Sequence, residues 1–99
     1  MLNLSSTVEN GKAVITAEGK IDTVTAPELE NEICGVIPGI TGLVIDFAGV
    51  NYISSAGLRV LLRAQKKMAV QGSMKLTNVS ADVMQVFDVT GFSDFLTVE

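Results

Sequence analysis

The sequence predicts a single α/β domain, a mixed sheet of four to five strands in the order β-β-α-β-α-β-α-β with helices packed on it. Three observations carry this. Two β-rich runs flank Asn10-Gly11, a dipeptide suited to the tight turn of an antiparallel hairpin. Beyond the hairpin, short apolar runs alternate with stretches whose apolar residues recur at helical spacing. The chain has 99 residues, 47% hydrophobic and 18% charged, so residues 1–99 suffice for one domain with a core and argue against disorder. Aromatics are only 5%, so that core rests on Val, Ile, Leu and Ala.

Each element has a local signature. Leu2 to Val8 alternates loosely and suits an edge strand, and Ala13 to Ala17 forms its hairpin partner, with Val14 and Thr16 opposite Ile15. Glu18 to Val24 reads as a loop. Thr25 and Glu28 have the spacing of a capping box, and Pro27 is tolerated in a first helical turn. Leu29, Ile33, Val36 and Ile37 then give the first helix its core face, and Pro38-Gly39 stops it. Leu43 to Phe47 reads as a central strand buried on both faces, with Asp46 near its end. Ala48 to Ser55 reads as a loop. A second helix from about Ala56 to Val70 buries Leu58, Leu61, Leu62 and Met68, with Gly72 just past its end. Cys34, on the first helix, is expected to be a small buried apolar residue. Met74 to Thr77 is a strand. Ser80 caps a third helix with Val83, Val86 and Phe87 on its apolar face, Gly91 ends it, and Phe95 to Val98 is a last short strand.

Composition excludes several functions. The net charge is −4, and four of the seven basic residues, Arg59, Arg63, Lys66 and Lys67, lie on one helix. An acidic chain with one short basic stripe makes a poor nucleic-acid binder, although the stripe could meet an acidic protein surface. One cysteine and no histidine rule out an internal disulfide, a multi-cysteine metal site and a Ser-His-Asp triad. No cofactor is expected. The absence of a leader-like start and of any apolar run near ~18 residues points to a cytoplasmic protein without membrane insertion.

The segment from Val44 to Leu58 concentrates the functional signal. A strand ends, the chain turns, and Ser54 and Ser55 open a helix. Function gathers at the carboxyl ends of strands in open α/β sheets, and free amides at a helix N-terminus favour negative charge. A serine there either caps the helix or accepts phosphate. Small Ala56 and Gly57 leave room for a partner. Gly57 weakens a helix by about 1 kcal/mol relative to Ala, which implies close packing or approach. The basic face reads first as a solvated helix face; the competing reading is a partner surface, for which Arg59, one turn after Ser55, is the better candidate and could also hold a phosphate.

Asn51-Tyr52-Ile53-Ser54-Ser55-Ala56-Gly57-Leu58-Arg59-Val60-Leu61 resembles the signature of STAS domains of the anti-sigma-factor antagonist type. Gly19 to Ala26 resembles that family's G-x-[IL]-D-x-x-[TN]-A segment, and Asp82 to Phe92 resembles its third helix and terminating glycine. The matches come in family order and span nearly the whole chain. The resemblance implies a STAS domain that undergoes partner switching. Its unphosphorylated form would bind an anti-sigma-factor serine/threonine kinase and release the sigma factor, and phosphorylation would switch it off. The family pattern places the acceptor two residues before the glycine, at Ser55. Ser54 stands where the family commonly has aspartate, and Ala56 where it has a second hydroxyl. Asp22 matches an aspartate beside the acceptor. Asp22, Thr23, Asn51, Ser54, Ala56, Gly57 and Arg59 are thus expected near the phosphosite or partner, with a cognate phosphatase resetting the switch and the free protein a monomer. Two other functions compete: a nucleotide- or small-ligand-binding module, and a structural module of a transporter or lipid-transport complex. Catalysis by the chain itself has the least support, because no histidine activates the serine.

Overall fold

A computed structural model describes residues 2–99. Strand β1 (Leu2–Glu9) pairs antiparallel with β2 (Lys12–Ile21), and the register runs from Leu2 opposite Gly19 to Glu9 opposite Lys12. Asn10 and Gly11 both take positive φ, 53° and 77°, as a two-residue turn matched to strand twist requires. Helix α1 (Ala26–Val36) leads to β3 (Gly42–Ile53), which lies parallel to β2. Helix α2 (Ser55–Gln71) leads to β4 (Ser73–Thr77), parallel to β3. Helix α3 (Ala81–Thr90) and a 3₁₀ turn (Phe92–Asp94) follow. The strand order is β1-β2-β3-β4.

That order has a consequence. Two successive right-handed crossovers that step the same way across a sheet place both helices on one face. Accordingly α1 packs on β1 and β2, and α2 on β3 and β4. Ala13, Ile15 and Ala17 of β2, Leu43, Ile45 and Phe47 of β3, and Leu76 of β4 join Leu29, Ile33, Leu61 and Met68 of the helices in one core. Val83 and Phe87 of α3 complete it. The alternate residues are uncovered: Val14 and Thr16 are exposed, and Val44 and Asp46 are half-buried. The central strand is therefore buried on one face, not both.

Several local expectations are corrected. Glu18 to Ile21 extends β2, and Ala48 to Ile53 extends β3, where loops are expected. Two register shifts absorb the extra β3 residues, opposite Thr16/Glu18 and Gly19/Lys20. Asp46 lies at the first shift, accepting from the Ala48 amide at 2.9 Å and from Asn78 Nδ2 at 3.2 Å. Thr25 precedes α1 but makes no side-chain cap, so the capping box with Glu28 does not form. The last strand shrinks to a single bridge of Val98 beside Leu76, because Phe92–Asp94 forms the 3₁₀ turn. Cys34 is exposed, not buried. It lies on α1 with its Sγ 3.7 Å from Lys67 Nζ of α2. Ser80 caps α3 through the Val83 amide, and Gly91 ends it at φ 80°. No helix among the described residues is long and apolar enough to cross a membrane.

Candidate functional site

The carboxyl ends of β2 and β3 lie side by side, and each turns at once into a helix. Ile21 pairs with Ile53, and the Ser54 amide donates to the Ile21 carbonyl at 2.8 Å. This bond brings the Asp22-Thr23 turn before α1 next to Ser54-Ser55 at the start of α2. Two segments more than thirty residues apart thus meet because two parallel strands end together.

The Asp22 turn is closed by its own hydrogen bonds. Its carboxylate Oδ1 accepts from the Val24 and Thr25 amides, each at 2.9 Å, which is an Asx turn. These amide donors, the Thr25 one foremost, hold the Asp22 carboxyl below its usual value. Thr25 is 4% exposed. Its hydroxyl donates to the Lys20 carbonyl and accepts from the Asp22 amide, both at 2.8 Å. Asp22, rather than Thr25, therefore organises the entry to α1. Sequence spacing favours Thr25 and Glu28, but the Thr25 hydroxyl is already engaged by the Lys20 carbonyl and the Asp22 amide and does not turn to the α1 amides.

The two serines differ in kind. Ser54 takes the extended conformation of an N-cap residue, yet its side chain makes no capping bond. Its Oγ is buried and without a hydrogen-bond partner. Ser55, the first residue of α2, is exposed. Gly57 is buried, and a Cβ on it would lie 2.6 Å from Ile21 Cγ2 and 2.8 Å from Ile53 Cγ1. Only glycine lets the first turn of α2 seat on the paired strand ends, so Gly57 positions Ser55 through packing. Asn51 and Tyr52 are exposed near the end of β3.

A shallow groove runs between the first halves of α1 and α2, lined by Thr23, Ala26, Pro27, Glu30, Ala56, Arg59, Val60 and Arg63. It gathers three of the residues expected near Ser55: Thr23, Ala56 and Arg59. The basic face of α2 is not uniform. Arg63 Nε pairs with Glu30 Oε2 at 2.5 Å, which lowers the Glu30 carboxyl and raises the guanidinium. Arg59 makes no ion pair among the described residues. No group of three or more acidic, histidine or cysteine side chains that could hold a metal exists among the described residues. The sequence gives no sign of the Arg63–Glu30 pair, which joins residues 33 positions apart.

Comparison with known proteins shows the family and the fold. Residues 3–99 match the family model described as STAS domain. The anti-sigma-B factor antagonist of Bacillus subtilis is 32% identical over 85% of this chain and 78% of its own length. That of Listeria monocytogenes is 34% identical over 86% and 76%. Both names are those of regulators, in keeping with a non-enzymatic chain. A crystal structure of an anti-sigma factor antagonist from Mycobacterium paratuberculosis aligns with a TM-score of 0.89 at 25% identity, over 99% of this chain and 85% of that one. The anti-sigma factor antagonist SpoIIAA in its unphosphorylated form has the same fold, with a TM-score of 0.80 at 22% identity over 100% and 88%.

Proposed function

The chain belongs to the STAS domain family, and from that premise we propose that it is an anti-sigma factor antagonist switched by phosphorylation at Ser55. The observation that carries the choice of residue is the contrast between the two serines. Ser55 is exposed at the start of a long helix, whereas the Ser54 hydroxyl is buried. A kinase site needs a reachable hydroxyl, and first-turn amides with the helix dipole favour the negative charge that follows.

The unphosphorylated protein binds an anti-sigma-factor serine kinase in the cytoplasm and frees the sigma factor that the kinase held. The kinase then transfers the γ-phosphoryl group of ATP to Ser55. An Oγ–P bond forms, the bond from the γ-phosphorus to the β–γ bridging oxygen breaks, ADP leaves, and the hydroxyl proton passes to a base of the kinase. The phosphoserine adds about −1.5 to −2 charge at neutral pH. The fold tolerates it, and the contact surface does not, through repulsion and the cost of desolvating a dianion. A cognate phosphatase restores the binding form. Binding of Ser55→Asp and wild-type protein to the anti-sigma kinase, measured by calorimetry, tests this. The substitution is expected to weaken binding by roughly tenfold or more. Equal affinity contradicts it.

A further inference from the structure

We propose that Arg59 clamps the phosphoryl group on Ser55, so that the modified site is closed within the chain itself. The inference rests on the reading of Ser55 as the phosphoacceptor and adds the group that receives the new charge. Arg59 follows Ser55 by four residues on α2, so the two share one face. Helical side chains lean toward the N-terminus, which carries the Arg59 side chain back over the turn that bears Ser55. An anion four residues before a cation is also the favourable order for such a pair.

The neighbouring charges make Arg59 the available one. Arg63, the next cation along the face, is engaged by Glu30 across the groove. Arg59 has no such partner among the described residues. The acids nearby are also engaged: Glu30 holds Arg63, and Asp22 is turned onto the Val24 and Thr25 amides. A planar guanidinium takes two phosphate oxygens at once. The remaining terminal oxygen faces the first-turn amides of α2, which the Ser54 side chain leaves uncapped. Phosphorylation then changes the contact surface twice. It adds a bulky anion at Ser55, and it withdraws Arg59 from any acidic partner surface.

The test places phosphoserine at position 55 during translation, without a kinase, and follows its second ionisation by phosphorus NMR across pH. In the wild-type protein this ionisation should fall below the value of about 6 for unconstrained phosphoserine. Arg59→Gln should raise it by about half a unit, the size of an exposed pair one turn apart. Arg59→Lys should fall between the two, and Arg63→Gln should leave it unchanged. An Arg59→Gln protein that titrates like wild type, or an Arg63→Gln shift as large as that of Arg59→Gln, overturns the clamp. Because the phosphoserine is installed independently, failure of any kinase to modify Ser55 would contradict the proposed function without touching this result.

Discussion

Replacing Gly57 by alanine sets two effects against each other, and the structure decides between them. In an isolated helix the change is stabilising by up to about 1 kcal/mol. Here the added Cβ would lie 2.6 Å from Ile21 Cγ2 and 2.8 Å from Ile53 Cγ1, with Ile53 Cδ1 at 3.2 Å. The two closest atoms are γ-carbons bonded directly to Cβ, on side chains that are 0% and 3% exposed, so neither swings away. Relief requires α2 to lift from the strand ends. Overpacking of this kind costs about 1–3 kcal/mol, and two contacts below 3.0 Å argue for the upper end. The net loss is then about 2 kcal/mol, or roughly 10 °C in Tm for a chain of this size. The chain has no tryptophan and one tyrosine, so urea unfolding is best followed by far-UV circular dichroism. A Gly57→Ala protein more stable than wild type would show that helix propensity governs this position, and the packing explanation for Gly57 would fall.

Three further substitutions probe the two helix entries. Thr25→Val keeps the shape of the side chain but leaves the Asp22 amide and the Lys20 carbonyl without their partner, and should cost about 2 kcal/mol in the same urea experiment. An unchanged midpoint would remove Thr25 from the turn. Ser54→Ala deletes a buried hydroxyl with no partner, so stability should hold or rise. A loss of about 1 kcal/mol, as expected of a side-chain cap, would contradict the geometry of Ser54. Asp22→Ala should lower Tm at neutral pH. The folded-state carboxyl is held below its ordinary value of 3.8, so its contribution is present above that pH and is lost as pH falls through the lowered value. The gap between the two proteins should therefore close only in strong acid, and a gap that persists at the lowest pH would assign the effect to packing instead.

The hairpin, the helices and the order of elements are legible in the sequence because each depends on neighbours in the chain. Asn10-Gly11 needs only its own φ values, and the apolar spacing of Leu29 and Ile33 needs only its own helix. What escapes is set by distant partners. Gly49 and Asn51 look like loop residues, yet both lie in β3: Gly49 pairs with Glu18, and Asn51 is the extra residue at the second register shift, between Val50 and Tyr52, which pair with β2. Thr25 has cap spacing, but its hydroxyl is taken by Lys20 and Asp22 before it reaches the α1 amides. Cys34 resembles a core residue by type, but it follows buried Ile33 by one position, which turns it about 100° away from the core face of α1. At the site, the sequence brings Ser54 and Ser55 forward together. Only the Ser54 amide bond to Ile21, with the burial of its Oγ, separates them physically.

That separation is most directly tested by mapping phosphate. Wild-type, Ser54→Ala and Ser55→Ala proteins would each be incubated with an anti-sigma-factor kinase and ATP and analysed by mass spectrometry of the peptide that spans α2's first turn. The prediction is one phosphate on Ser55 in the wild-type and Ser54→Ala proteins, and none in Ser55→Ala. Phosphate on Ser54, or undiminished phosphorylation of Ser55→Ala, would contradict it.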